Sequence, residues 1–465
     1  MTSVVIVGGG PGGYEAGLVA AQLGADVTLV DSDGIGGSAV LTDCVPSKAI
    51  IAVGEVLTAF AESGALGVRA GVADPADVDL GVDIGVVNRR VLALARAQSE
   101  DISRRLHRDG ARVISGRGRL VGPGRVLVEP KQGSGSEQEL EADIVLLATG
   151  ARPRILDSAV PDGERILNWE QVYGLSETPV HLIVVGSGVT GAEFASAFNA
   201  IGARVTLVSS RDHVLPGEDQ DAAAVLEGVF ARRGVSVMPR SRALAVHREG
   251  DEVVVQLEGG QTVRGSHCLM AVGSIPNTDD LGLDTAGVET DERGFITVDR
   301  VSRCSVRGIY AAGDCTGVHM LASVAAMQGR IAMWHSLGDS VSPLDMRTVS
   351  GNVFTDPEIA TVGYSQRDVD AGLINADTVM LPLATNARAK MQEMRDGFVK
   401  VFCRRGTRIV VGGVVVAPKA SELIHPLALA VENRLTVDQV AKAFTVYPSL
   451  SGSVAEAARR LHASR

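Results

Sequence analysis

Aromatic residues make up only 3% of the 465-residue chain, too few for surfaces that stack bases or sugars. Positive charge is also in deficit. Lys plus Arg number 44 against 55 Asp plus Glu, a formal net charge of −11, and no long basic block breaks the acidic balance, which argues against a nucleic-acid partner. Cysteine is sparse and scattered: Cys44, Cys268, Cys304, Cys315 and Cys403 are odd in number and lack CxxC spacing. Neither a disulfide framework nor a metal knuckle is available, no metal site is expected, and any redox role rests on an isolated thiol or a bound cofactor. No run reaches the ~20 uninterrupted apolar residues needed to span a bilayer. The longest candidates are Gly-broken strands such as 409–417. The start carries no basic n-region, and the apolar residues 4–7 lead at once into glycines, as a first strand does and a signal peptide does not. A soluble, cytoplasmic protein is the expectation.

Glycine, by contrast, is abundant at 54 residues, a bias expected where backbone turns tightly against phosphates. The length, roughly three times the ~150 residues of an average domain, implies two to four domains. Residues 4–7 (VVIV) run into GGGPGG at 8–13, and 178 residues further on residues 182–185 (LIVV) run into GSGVTG at 186–191. Each fingerprint follows an all-apolar strand and opens an Ala-rich helical stretch, 16–23 and 192–201, before a second strand. In such a unit the first glycine permits a tight turn, the second lets backbone approach a diphosphate, and the third lets helix pack on strand. Gly8, Gly10 and Gly13 fill these places in one unit, Gly186, Gly188 and Gly191 in the other.

The residue that ends the second strand faces the adenosine ribose. It lies 23 positions after the first glycine, which gives Asp31 in the first unit and Ser209 in the second. The Asp31 carboxylate can accept both ribose hydroxyls, whereas Ser209, Ser210 and Arg211 offer two hydroxyls and a guanidinium to a 2′-phosphate. NADPH as well as NADH is therefore admissible at the second site. Residues 86–108 show helical spacing with a charged, solvated face. Residues 111–128 and 140–147 read as a β-meander around a polar, mobile tip at 130–139. After Pro343 the pattern changes to strands at 399–403 and 409–416 and helices at 421–433 and 454–462, with no third fingerprint.

Further motifs point to a family. Ala148-Thr149-Gly150 and Ala271-Val272-Gly273 read as crossover turns, GIYAAGD at 308–314 ends in Asp314, and VFTDPEIATVG spans 353–363. GGSAVLTDCVPSK at 36–48 includes Gly37, Cys44 and Lys48. With both fingerprints, this set resembles the flavoprotein disulfide reductase family over nearly the whole chain. The resemblance implies an α/β protein with two Rossmann-like nucleotide-binding domains and a C-terminal α+β dimerisation domain. The implied division is an FAD-binding domain at 1–152 and 278–343, an NAD(P)H-binding domain at 153–277 and an interface domain at 344–465, in a homodimer. It further implies FAD at the first fingerprint with Gly37, Thr149, Gly150 and Asp314, the last on the flavin ribityl chain. The second fingerprint with Gly273 would take NADPH or NADH. Lys48 would pair with Glu193 beside the flavin nitrogen that accepts hydride.

Two departures from the family pattern bear on function. The first cysteine of the redox pair is Ala39, leaving Cys44 alone, and the His and Glu of the C-terminal base are Tyr447 and Gly452. A tyrosine with an unperturbed pKa of ~10 does not replace a base poised near neutrality. The pattern resembles a subgroup, the actinobacterial NAD(P)H quinone reductases of dihydrolipoamide-dehydrogenase type. It implies transfer from NAD(P)H through FAD to a quinone, with no membrane span, and with Lys48, Glu193, Tyr447 and Cys44 as the catalytic set. Two alternatives stand beside it: a single-cysteine thiol or peroxide reductase at Cys44, and a non-catalytic flavoprotein that binds or senses.

Overall fold

The computed structural model describes residues 1–69, 78, 80–131 and 136–463, which form two compact units. The first contains residues 1–47, 88–154 and 273–345. Its seven-stranded sheet has the order Ile309–Ala311, Ile144–Leu147, Ser3–Val7, Asp26–Asp31, Arg112–Gly122, Arg125–Pro130, Gln138–Glu141. The first five strands are parallel and the last three form an antiparallel meander. Four of the tip residues assigned to a mobile hairpin, 132–135, lie outside the described residues.

Continuous apolar strands are what a sheet covered on both faces requires, because side chains alternate between the faces. Val4, Ile6, Leu29, Ile144 and Leu146 join one buried cluster, with Ala16 and Ala20 of helix Pro11–Gln22 and Ala332 and Met333 of helix Ala322–Ser336. Their neighbours Val5, Val7, Val30, Val145 and Leu147 join another, against Leu120, Val126 and Leu283. The predicted charged helix is Ile84–Arg108, with Arg89, Arg90, Arg96, Glu100, Asp101, Arg104 and Arg105 all exposed.

The second unit contains residues 48–87, 155–272 and 346–465. It holds a parallel five-stranded sheet in the order Ser236–Met238, Arg204–Val208, His181–Val185, His267–Met270, Ile166–Leu167. An antiparallel three-stranded sheet follows, Ala243–Glu249, Glu252–Leu257 and Thr262–Gly265. The C-terminal part has its own antiparallel sheet, Ser350–Val353, Glu358–Gly363, Val410–Ala417, Phe398–Arg404, Ala376–Pro382. The helix predicted over 421–433 is two, Ala420–Leu423 and His425–Glu432. Pro426 has no N–H for the carbonyl four residues back, so it sits in the first turn of a new helix instead of continuing the old one.

Residues 37–66 are, among the described residues, one helical stretch long and apolar enough on average to cross a membrane. The stretch is interrupted by Asp43, Lys48 and Glu55 and turns Ser47 and Ile50 inward.

Lys400, 2% exposed, is buried in the second unit. Its Nζ donates to both carboxylate oxygens of Asp219 at 2.9 and 2.8 Å and to Asp221 at 2.6 Å. Asp219 also caps helix Gln220–Arg232, accepting from the amides of Asp221 and Ala222. Removing one partner of a buried ion pair leaves an uncompensated charge and costs about 3–5 kcal/mol. Lys400→Met should therefore lower the urea midpoint markedly, and adding Asp219→Asn should restore part of it. An unchanged midpoint in the single variant contradicts this energetic role.

Candidate active site

Both fingerprints are held by the same steric constraint. Gly8 (φ +103°) and Gly186 (φ +111°) turn the chain out of their strands with a conformation that favours glycine. A Cβ there would lie 2.2 Å from the Ala148 carbonyl oxygen and 2.1 Å from that of Ala271. The third glycines are as crowded: a Cβ on Gly13 or Gly191 would lie 1.9 Å from the carbonyl oxygen of Gly8 or Gly186. The middle glycines, Gly10 and Gly188, meet nothing closer than 4.0 Å. That open space lies at the N-termini of helices Pro11–Gln22 and Val189–Ala200, whose caps are these glycines. A diphosphate fits there, against the first backbone amides. Gly37 closes onto the first cradle, since its Cβ would lie 2.7 Å from the Gly10 Cα.

Asp31 ends its strand with both carboxylate oxygens engaged. Oδ2 accepts the Gly9 amide at 2.6 Å, and Oδ1 accepts those of Asp33 and Gly34 at 2.8 and 2.6 Å. Burial raises its pKa, and the three amides oppose that rise. The crossover turn is tied by a residue that sequence reading missed: Asn277 donates its side chain to the Thr149 carbonyl at 3.0 Å and its amide to Gly150 at 3.0 Å. The Thr149 hydroxyl donates back to the Asn277 carbonyl at 2.7 Å. In the other crossover turn, 271–273, Gly273 takes φ +94°. Asp314 opens a short turn, Asp314–Thr316. Burial, and behind it the Asp43 carboxylate, push its pKa up to about 6.

Lys48 and Glu193 come together across 145 residues of chain, with Nζ 2.8 Å from Oε2. The Glu193 carboxylate is buried, and its other oxygen accepts the Phe354 amide at 2.9 Å. The Phe354 ring lies under the ammonium, 4.9 Å from Nζ to centroid, a cation–π contact. Phe354 belongs to the VFTDPEIATVG motif, which was the only signal that could have pointed to it.

None of the five cysteines is in a disulfide. Cys44 is partly accessible at the start of helix Cys44–Glu62. The other four are buried, and burial pushes their thiols up, Cys304 to about 12 and Cys315 to about 11, which suppresses thiolate chemistry. Tyr447 is 84% exposed in a segment whose Phe444 and Val446 are exposed as well. Ser209 directly follows strand Arg204–Val208. It is completely buried, and its hydroxyl lies 2.6 Å from that of Ser187 and accepts the Arg211 amide at 3.0 Å. The hydroxyl is engaged in holding the turn, which leaves Ser210 and Arg211 as the exposed members of the trio.

Comparison with known proteins agrees with this geometry. Residues 2–329 match the pyridine nucleotide-disulphide oxidoreductase family, and residues 349–458 match its dimerisation domain. The chain belongs to this family. It is 56% identical, over all of its length and 94% of the relative's, to a Mycobacterium tuberculosis protein named NAD(P)H dehydrogenase (quinone). It is 33% identical to dihydrolipoyl dehydrogenase 2 of Haloarcula marismortui, over 98% of this chain and 96% of that one. The crystal structure of LpdA from Mycobacterium tuberculosis superposes with a TM-score of 0.94 at 56% identity, covering 99% of this chain and 100% of that one. The HOCl-induced flavoprotein disulfide reductase RclA from Escherichia coli shares the fold, with a TM-score of 0.85 at 22% identity, over 98% and 99% of the two chains. As a member of the family, the chain uses FAD and a pyridine nucleotide, and the two open glycine cradles fit these groups.

If Asp314 holds the flavin ribityl chain, its raised pKa makes FAD binding pH-dependent. In the ligand-free protein the carboxyl takes up a proton as pH falls through about 6, and the neutral acid is a poorer acceptor for a hydroxyl. FAD affinity of the apoprotein should weaken by up to about tenfold per pH unit below that point. Asp314→Asn should bind FAD more weakly at pH 8 but with a flat profile between pH 5 and 7. Parallel profiles for the two proteins, by fluorescence titration, contradict the assignment.

Proposed function

We propose that the protein is an NAD(P)H:quinone oxidoreductase that works without an active-site disulfide. The observation that carries this reading is an intact Lys48–Glu193 pair, 2.8 Å apart, in a chain with Ala39 where the family has the first redox cysteine. The relative at 56% identity bears a quinone reductase name. Bound FAD supplies the redox chemistry, a two-electron exchange with the nicotinamide and with the quinone.

The residues of the chain bind, orient and stabilise charge. Gly8, Gly10, Gly13, Gly37, Asp31, Thr149, Gly150 and Asp314 would hold FAD, and Gly186, Gly188, Gly191 and Gly273 the nicotinamide nucleotide. Lys48 would place a cation where negative charge develops, and a preorganised charge of this kind lowers a barrier because nothing reorients during the reaction. Glu193 holds that ammonium in place and is itself fixed by the Phe354 amide.

Cys44 would lie near the acceptor without exchanging thiols. Tyr447 would meet the acceptor, or the partner subunit, in a homodimer. The exposed run of Phe444, Val446 and Tyr447 supports that reading, as an apolar segment for a second copy to cover. The proposed domains are 1–152 with 278–343 for FAD, 153–277 for NAD(P)H and 344–465 for the interface. Five cysteines with no disulfide among them suit a cytoplasmic location.

Steady-state turnover tests the reading. NADPH or NADH should reduce a benzoquinone or naphthoquinone, while lipoamide and glutathione disulfide should be turned over slowly or not at all. Cys44→Ser should keep quinone activity within about tenfold, roughly 1.4 kcal/mol of barrier. Glu193→Gln should slow reduction by NADPH by more than about tenfold, because Lys48 loses the charge that fixes it. Disulfide turnover at a rate comparable to quinone, abolished in Cys44→Ser, would restore a thiol mechanism and overturn the proposal.

A further inference from the structure

The sequence offers Arg211 as the cation for a 2′-phosphate, but the backbone brings two more arginines to the same strand end, Arg240, which lies 3.9 Å from the Asp212 carboxylate, and Arg242. The segment from Ser209 to Arg211 is tied to the one from Met238 to Ser241 by three hydrogen bonds. The Ser209 amide donates to the Met238 carbonyl at 2.9 Å, that of Ser241 to Ser209 at 2.7 Å, and that of Arg240 to Arg211 at 2.9 Å. Ser210 therefore comes to lie beside Ser241 and Arg242. Together they line a cavity of about 300 Å³ that also contains the fingerprint residue Gly186 and the strand-end residue Val208. Its remaining wall includes Leu244, Met270 and Val272, an apolar surface suited to an adenine ring.

Arg211 lines a different cavity, of about 500 Å³, which it shares with the carboxylates of Asp212, Glu218 and Glu227 as well as with His213 and Arg367. Three acidic side chains make that space poor for an added dianion. Ser210 alone is common to both cavities. Arg242 is exposed, its backbone is fixed by the Glu258 amide donating to its carbonyl at 2.8 Å, and it makes no ion pair among the described residues. A guanidinium beside a serine hydroxyl at the ribose end of an adenosine slot is a phosphate-binding pair.

We infer that Arg242, together with Ser210, is the group that recognises the 2′-phosphate of NADPH, and that Arg211 is not. The inference rests on the reading that the second fingerprint binds a nicotinamide nucleotide, and binding of the oxidised nucleotides tests it without recourse to any electron acceptor. NADP+ and NAD+ are titrated calorimetrically into the FAD-loaded enzyme and into its Arg242→Ala, Arg242→Lys and Arg211→Ala variants.

Arg242→Ala should weaken NADP+ by about tenfold or more, the scale of a lost charge-assisted contact, while NAD+ affinity stays within about twofold. Arg242→Lys should keep most of the NADP+ affinity, and Arg211→Ala should leave the ratio of the two affinities unchanged. Equal weakening of both nucleotides by Arg242→Ala, a ratio that moves only in Arg211→Ala, or a wild-type enzyme that binds NAD+ but not NADP+ would each overturn the assignment and leave the proposed function standing. Binding of neither nucleotide by the wild-type enzyme would overturn the proposed function itself.

Discussion

A buried carboxylate paired with one lysine organises the candidate site. Glu193 lies in helix Val189–Ala200, which opens at the second fingerprint, and its charge inside the protein is tolerable only because both oxygens are engaged. One binds the Lys48 ammonium and the other the Phe354 amide. Three distant stretches, the helix after Cys44, the second fingerprint helix and the first strand of the C-terminal sheet with the loop after it, are thereby joined at one group. Loss of the carboxylate would free the lysine and unseat the loop together.

The same constraint bears on which parts of the family pattern this chain carries. An ion pair that fixes a cation, as proposed for Lys48 and Glu193 beside the flavin, would be useful to any enzyme that must stabilise a reduced ring, whatever the acceptor. A dithiol and its histidine base serve thiol–disulfide exchange. In the proposed reading, Ala39, Tyr447 and Gly452 stand in the places of that second set, while Lys48 and Glu193 keep the first. The four remaining cysteines are buried and held as thiols, so none is placed to take over the missing sulfur's part.

The glycine cradles and the parallel strands were legible in the sequence because they are backbone requirements. Only glycine tolerates the turn at Gly8 and Gly186, where a Cβ would overlap a carbonyl, and only near-continuous apolar residues fill strands covered on both faces. Asp31 and Ser209 were found by counting register, and register says where a residue sits, not what its side chain bonds to. The buried Ser209 hydroxyl shows the difference. Asn277, Lys400 and Arg242 were not legible, because each acts through a partner far along the chain or through a loop tied by backbone bonds that no local pattern encodes, and for Phe354 the motif around it was the one signal. The break in the predicted helix at 421–433 did have a local signal, Pro426, which outweighed the apolar periodicity around it.

The central claim, that the flavin works here without a dithiol, reduces to counting electrons. The holoenzyme is titrated anaerobically with dithionite, with flavin absorbance followed and total reducing equivalents measured per FAD. A flavin alone accepts two electrons, and a flavin coupled to a disulfide accepts four. The account predicts that bleaching is complete after two electrons per FAD and that no further equivalents are consumed. Uptake of four electrons, with flavin absorbance persisting through the first two, would show a second redox centre and contradict it.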